Sequence, residues 1–401
     1  MSNRLILSSK EQEKLDVIKR ALEKKITNGH AAKILGVSLR QIKRLKKNIR
    51  AYGTQGVVHR LKGKPSNHHI AQNIKDKTLE LIKEKYADFK PAFASEKLKE
   101  NHSITVNAQT VRRWMIQTRL WKSRKQKKND YRSWRPRKEY FGEMQQFDGS
   151  YHLWFERRYC DNDRNPIEVC LLASIDDATG KITKAEFTAN EGVVAVFTFW
   201  KAYIISNGKP LSVYLDKFST YKINHKAAVD NHELMTQFER ATKDLSILLI
   251  TAHSPEAKGR VERLFGTLQD RLVKEMRLLD INTPEEGNKF LEEVFLPKFN
   301  SRFSVMPTKE GNVHKLLSEL DQKNLNRIFS IQSRRKVNND FTIQFKNNWY
   351  QLAEVQPVTV RARDTILVEE WLDGTIHFSL RGQYLVYTVL PERPKRVKRQ
   401  P

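Results

Sequence analysis

Cysteine is nearly absent: the 401 residues hold two, Cys160 and Cys170. Two thiols cannot build a disulfide framework or a cysteine-rich zinc site. No cysteine precedes Cys160, which excludes a His/Cys zinc finger from the N-terminal third. Long apolar runs are also missing. The longest, Gly192 to Trp200, stops at Lys201, well short of a bilayer span, and Leu5-Ile6-Leu7 is too short for a secretory segment. No glycine-rich phosphate loop, HExxH motif or nucleophile elbow occurs, which argues against NTPases, zinc proteases and α/β hydrolases. The expectation is a soluble, cytoplasmic protein of several domains with no membrane contact.

What is abundant is positive charge, and it is unevenly spread. Residues 1–140 carry 36 Lys+Arg against 12 Asp+Glu, a net of +24 (36 − 12), and residues 391–401 carry 5 against 1, a net of +4. Subtracting both from the whole-chain +27 leaves −1 for everything between. A basic arm and tail flanking a near-neutral middle draw polyanions and release counterions when phosphates are neutralised. Double-stranded DNA is the expected partner.

The arm resolves into two helical patterns. Leu15, Ile18 and Leu22 recur at helical spacing within 11–25. Asn28-Gly29 reads as a turn, Ala31 to Leu35 as a short helix stopped by Gly36, and Ser38 as the cap of a helix over Leu39 to Ile49. Ile42, Leu45 and Ile49 point inward. Arg40, Gln41, Lys43, Arg44 and Lys47, with Ser38 at their head, form a basic outer face. A short helix, a glycine-bearing turn and a basic helix make a helix-turn-helix pattern whose last helix reads the major groove. A plain three-helix bundle with a solvated face is the alternative. A second pattern runs from Ile74 to Thr118, with Leu79, Ile82 and Tyr86 on one face, Phe93 and Leu98 next, and Asn107 capping a helix that displays Gln109, Arg112 and Arg113. Two modules in series suit a long or bipartite site.

Beyond a basic linker the pattern changes. Strands are expected over 143–159, 166–176, 181–187, 211–215 and 245–251, with helices over 193–206, 257–278 and 284–299. Three sequential antiparallel strands followed by alternating helix and strand describe a mixed sheet covered by helices, an α/β core. Short β-type runs from about 335 to 390 suggest a small β-barrel. The expected divisions are a helix-turn-helix module with its linker (1–66), a second such module (67–121), a basic linker (122–140), the core (141–305), a helical linker (306–334), the barrel (335–390) and a basic tail (391–401).

The core offers carboxylates at element boundaries, which two-metal phosphoryl transfer requires. Asp148 lies in Gln146-Phe147-Asp148-Gly149-Ser150, where a hairpin Asp-Gly turn is the other reading. Asp216 ends the strand Ser212 to Leu215, where it could equally cap the next segment. Glu262 lies in Ser254-Pro255-Glu256-Ala257-Lys258-Gly259-Arg260-Val261-Glu262-Arg263, where a surface pairing with Lys258 is the alternative.

Together these segments, with Ile175-Asp176-Asp177-Ala178-Thr179-Gly180 and Gly266-Thr267-Leu268-Gln269, resemble the DDE transposases of the retroviral-integrase superfamily, most closely the bacterial insertion-sequence type. The resemblance follows domain order over roughly 10–385, and its specific part is 145–270. It implies an RNase H-like catalytic core, with Asp148, Asp216 and Glu262 as catalytic and metal-binding triad. It also implies two Mg²⁺ ions, replaceable by Mn²⁺, nicking of element ends, attack of the 3′-hydroxyls on target DNA, and a homodimer or larger assembly on a bacterial nucleoid. Lys258, Arg260 and Arg263 would then lie near the carboxylates and hold phosphate, unless they are ordinary helix-surface charge. Asp176 and Asp177 are assigned to the hairpin turn. Two departures stand out. Forty-five residues (262 − 216 − 1) separate Asp216 from Glu262, against about 35 in the family's short form. An insertion around Ile223 to Asn231 would account for the excess, with Glu256 as the rival acid. The zinc-binding N-terminal domain of retroviral integrases is replaced by the helical modules. A DNA-binding regulator with a silent core and an RNase H-type nuclease remain as other readings.

Overall fold

The computed structural model describes residues 7–59, 62, 69–123, 136–216, 231–252 and 259–392. The chain divides into two compact units, Met1–Ser123 and Arg124–Pro401.

In the first unit, α1 (Ser9–Leu22) opens with a capping box in which Ser8 and Glu11 satisfy each other's ends of the first turn. Helix α2 (Asn28–Leu35) is capped by Thr27 and ended by Gly36 at φ 62°. Asn28-Gly29 is therefore not a turn but part of the first helical turn, because the Thr27 hydroxyl accepts the His30 N–H and starts the helix three residues earlier (31 − 28). Helix α3 (Leu39–Tyr52) is capped by Ser38, whose hydroxyl accepts the Gln41 N–H at 3.3 Å. Leu15, Ile18, Ala21, Ala31, Ile42, Leu45 and Ile49 form one core, closed by Val57 from the 3₁₀ turn Gly53–Val57.

Helices α4 (Gln72–Lys85), α5 (Pro91–His102) and α6 (Ala108–Gln117) form a second bundle around Ile82, Tyr86, Phe89, Phe93, Leu98, Val111 and Met115. Asn107 caps α6 through the Gln109 N–H at 2.8 Å. Leu79 is half-buried and stays out of this cluster. Thr78 is buried instead, its hydroxyl bonded back to the Ile74 carbonyl at 2.7 Å.

The second unit holds a five-stranded sheet in the order β3-β2-β1-β4-β5. Its strands are β1 (Met144–His152), β2 (Val169–Asp176), β3 (Ile182–Thr188), β4 (Ser212–Asp216) and β5 (Leu248–Ala252). The first three are antiparallel; β1–β4 and β4–β5 are parallel. Helices α7 (Val193–Asn207) and α8 (Asn231–Asp244) cover one face, packing Phe197, Trp200, Ile204, Phe238 and Ala241 on Phe147, Cys170, Leu172, Val213 and Leu215. Helix α9 (Gly259–Leu278) covers the other, with Leu264, Leu268, Leu272 and Met276 on Val169, Leu171 and Ala173. Helix α10 (Pro284–Phe290), a π segment (Leu291–Phe295) and α11 (Leu296–Phe303) pack into the same cluster. Helix α12 (Glu319–Ile328) adds Leu325 and Ile328 to the α7 side.

The expected barrel does not close. Strands β6 (Ile331–Lys336), β9 (Thr365–Glu370), β10 (Ile376–Leu380) and β11 (Gln383–Tyr384) form one sheet in the order β11-β10-β9-β6, while β7 (Thr342–Phe345), β8 (Asn348–Leu352) and β12 (Tyr387–Leu390) form another, β12-β8-β7. Closure needs a continuous ladder, and β11 is two residues long at one edge. The two sheets instead share one apolar interior, Ile343, Tyr350, Ile366, Val368 and Phe378. Strand β6, Ile-Gln-Ser-Arg-Arg-Lys, lacks apolar alternation, so its residues carry no strand signal.

Candidate active site

Alternation along β1 sends Phe147, Gly149 and Tyr151 toward α7 and turns Gln146, Asp148 and Ser150 to the α9 side. Asp148-Gly149 thus lies inside a strand, opposite Ala173 and Leu172, and is not a hairpin turn. A Cβ at position 149 would lie 2.8 Å from the carboxyl carbon of Glu191, so the bare Cα lets that carboxylate rest on β1 where a side chain would push it aside. Burial keeps the neighbouring Cys170 thiol protonated by pushing its pKa up, with Glu191 adding to the shift.

Strand β4 brings the second acid alongside. Met144 pairs with Ser212, Gln145 with Val213 and Gln146 with Tyr214. The offset is 68 (212 − 144), and the same offset sets position 216 level with Asp148 (216 − 148). Adjacent strands lie about 4.8 Å apart. The Asp216 side chain is outside the described residues.

Helix α9 supplies the third. Near its start Arg260 meets Asp177 Oδ1, the same oxygen that accepts Gln146 Nε2 at 2.6 Å. Further along, Gln269 Nε2 comes within 3.5 Å of Ser150 Oγ. Nine residues of helix and four of strand both span about 14 Å, so α9 runs in step with β1. Glu262, about 3 Å beyond Arg260, falls level with the 146–148 stretch. It also shares a helix face with Gln269, two turns on. Asp148 is half-buried and Glu262 exposed.

Beside this group lies a buried acidic turn. Asp176 Oδ2 accepts the Gly142 N–H at 2.9 Å and Gln145 Nε2 at 3.1 Å, and its Oδ1 accepts the Thr179 N–H and hydroxyl, both at 2.8 Å. Asp177 accepts the Lys138 N–H at 2.8 Å besides Gln146 and Arg260, and donates its own N–H to the Met144 carbonyl at 3.0 Å. Both are more than a hairpin turn: they tie the start of β1 to the end of β2. Among the described residues no three Asp, Glu, His or Cys side chains cluster closely enough to hold a metal ion; the Asp216 side chain is not among them.

The sequence-predicted DNA-binding residues fall in several settings. Arg40, Lys43, Arg44 and Lys47 are exposed along α3, with Gln41 half-buried and Ser38 engaged as the cap. Gln109, Arg112 and Arg113 are exposed on α6, and Arg112 also reaches Ser123 Oγ at 3.0 Å. Arg263 is exposed on α9, whereas Arg260 is mostly covered and paired with Asp177. Lys258, like the rest of Ser254 to Lys258, lies outside the described residues, as do most of the 122–140 linker and the 391–401 tail. Sequence reasoning missed Glu191, Gln146 and Lys46. Nothing local marks Glu191, whereas Gln146 sits two residues before Asp148 on the same strand face. The Lys46 ammonium turns inward, bonding the Ala21 carbonyl at 2.9 Å and Asn28 Oδ1 at 3.1 Å.

A helical arm bearing a basic, exposed helix precedes a five-stranded α/β core in which positions 148 and 216 stand level on the neighbouring strands β1 and β4. Comparison with known proteins supplies the class. Residues 13–66 match the family described as "Helix-turn-helix domain". The chain is 34% identical over 385 residues to "Putative transposase y4bF" of Sinorhizobium fredii (strain NBRC 101917 / NGR234), covering 96% of this chain and 82% of that one. It is 29% identical over 410 residues to "Transposase for insertion sequence IS1202" of Streptococcus pneumoniae, covering 92% and 84%. Among solved structures, a simian T-cell lymphotropic virus intasome in complex with PP2A regulatory subunit B56 gamma aligns at 13% identity and TM-score 0.32, over 74% of this chain and 96% of that one. The HTLV-2 integrase catalytic core domain in complex with magnesium, in its trimeric form, aligns at 20% and 0.26, over 38% and 84%. The chain belongs to the insertion-sequence transposases of the DDE type. It is a polynucleotidyl transferase, not a regulator with a silent core. No helix among the described residues is long and apolar enough to cross a membrane.

Proposed function

We propose that this transposase binds the terminal inverted repeats of its element, nicks the ends by metal-dependent hydrolysis, and joins the freed 3′-hydroxyls to target DNA. Asp148, Asp216 and Glu262 carry the chemistry. The observation that supports this reading most is the shared level of the three positions, across a strand register offset by 68 residues and a helix running in step with β1.

Two Mg²⁺ ions, or Mn²⁺ in their place, would be held by these three carboxylates. The donor set fits, since carboxylate oxygens are what hard cations prefer. The soft thiol of Cys170 packs into the α7 side and stays protonated. When bound, such ions supply activation of the attacking oxygen and charge neutralisation on the leaving oxygen. The chain's own residues do the rest. The apolar stripe of α9 seats Glu262 against the sheet and excludes water beneath it. Arg263 and Lys258 meet DNA phosphate near the acids. In the arm, Arg40, Gln41, Lys43, Arg44 and Lys47 on α3 and Gln109, Arg112 and Arg113 on α6 read a bipartite end, the first unit acting as recognition arm and the second as catalytic body. Paired ends call for a homodimer or larger assembly, working on the bacterial nucleoid.

Strand transfer tests this. Purified protein is incubated with its element-end duplex, plasmid target and Mg²⁺, beside Asp148→Asn, Asp216→Asn and Glu262→Gln. Joined products with wild type and none with the three variants, all still binding ends, are expected. Activity retained by any variant removes that residue from the site.

A further inference from the structure

We propose that Asp177 and Arg260 form a positioning clamp that sets the roll of α9, and so the placement of Glu262 against Asp148. The proposal rests on the active-site reading above and adds two residues that are bonded to each other beside it.

Successive residues of a helix are turned by about 100°. The buried stripe of α9 runs through Val261, Leu264, Phe265, Leu268 and Leu272. Arg260 lies on one flank of that stripe and Glu262, about 200° further round, on the other. The sheet order gives each flank its neighbour. Arg260 reaches the turn after β2, while Glu262 stands toward β1 and β4. An apolar stripe alone resists roll poorly, because hydrophobic contact is not directional. A guanidinium held by a buried carboxylate does resist it, because charge-assisted hydrogen bonds are short and directional.

Asp177 is itself immobilised. It is almost fully buried, its carboxylate accepts from Gln146 and Lys138, its N–H is bonded to Met144, and Arg137 Nη1 bonds the adjoining Ala178 carbonyl at 3.2 Å. One carboxylate thus joins the β1 strand carrying Asp148 to the helix carrying Glu262. A roll of 20° would displace a side chain about 6 Å from the helix axis by about 2 Å. Misplacement of a catalytic group by about 1 Å can cost roughly 100-fold in rate.

The test uses full-length Asp177→Asn, Arg260→Gln, Arg260→Lys and the double variant Asp177→Asn/Arg260→Gln, beside wild type and Glu262→Gln. Melting temperature, end binding against salt, and cleavage at saturating DNA against Mg²⁺ concentration are read. Expected are a fall in cleavage of about 100-fold for either neutral single variant, a higher Mg²⁺ requirement, unchanged salt dependence of binding, and a double variant no worse than the worse single. Arg260→Lys keeps the buried charge compensated and should lose less; it decides the matter if Asp177→Asn does not fold. The clamp is overturned if the single losses multiply in the double variant. It is also overturned if Arg260→Gln cleaves normally at saturating DNA but binds ends more weakly with a salt slope shallower by about one, the mark of a phosphate contact. Should wild type cleave no better than Glu262→Gln, the active-site reading itself falls and the clamp with it.

Discussion

Asn288 and Asn300 each grip both backbone groups of one residue on the edge strand β3. Asn288 accepts the Phe187 N–H at 2.6 Å and donates to its carbonyl at 3.0 Å; Asn300 does the same for Ile182, at 2.8 Å both ways. Two amides thus stand in for a neighbouring strand. Twelve residues of regular α-helix (300 − 288) would leave them about 120° out of phase. The π segment Leu291–Phe295 takes up roughly one residue and brings them back onto one face. Pro297, which has no N–H to donate, follows two residues after it.

The edge cap predicts the behaviour of Asn288→Ala and Asn300→Ala. Each leaves two strand groups unpaired and should cost about 1–3 kcal/mol. The double variant should also self-associate with rising concentration, since an open edge recruits other strands. Urea unfolding and light scattering measure both. A double variant as stable and monodisperse as wild type would mean the amides are incidental.

His314 predicts a pH dependence. Its ring lies between Gly142 and Tyr203, with Nε2 2.7 Å from the Tyr203 hydroxyl and Nδ1 2.6 Å from Asn312 Oδ1. Burial depresses its pKa, against a smaller opposing pull from Asp176. The unfolded chain, titrating near about 6.5, therefore takes up the proton first. The stabilisation is full above that pH and is lost as pH falls below it toward the folded value. His102 and His152 are depressed too, mainly by burial, and add in the same sense. Urea titrations at pH 7.5 and 5.5 should show a drop that His314→Gln reduces. Equal drops in both proteins would clear His314 of the effect.

Gly149→Ala should strain the β1–Glu191 contact, because the new methyl meets a carboxylate 2.8 Å away. Because the carboxylate is the end of a flexible side chain and can swing aside, the destabilisation should stay near about 1 kcal/mol, with reduced cleavage and intact end binding. Shortening Glu191 to Ala in the same chain should recover much of the stability. If it recovers none, the clash is not the cause.

Lys46 and Lys47 are adjacent and should behave differently. Lys46→Ala removes bonds that tie α3 to α1 and α2, so it should lower the melting temperature of the arm. Lys47→Ala should leave melting unchanged and shallow the salt dependence of end binding by about one counterion. The reverse pattern would move the recognition face of α3 round by one residue.

Much of the helical arm was legible because its determinants are local. Ser38, Asn107 and Gly36 act on backbone groups within four residues, and Ile42, Leu45 and Ile49 advertise a face through spacing alone. The failures were equally physical. Asn28-Gly29 carries turn chemistry that Thr27 overrides by capping, and β6 hides its strand in basic residues whose pairing with β9 is long-range.

The sequence by itself determined where the charge lies, most of the helices of the arm, and which acids are candidates for the site, since composition and short-range spacing are enough for these. Only the tertiary structure decided that β1 and β4 pair with a 68-residue offset, that Arg260 serves Asp177 across 83 residues of chain, and that two short sheets face each other without closing. Those outcomes depend on which surfaces the collapsed chain buries against one another, and distant contacts of that kind leave no periodic trace in the residues that make them.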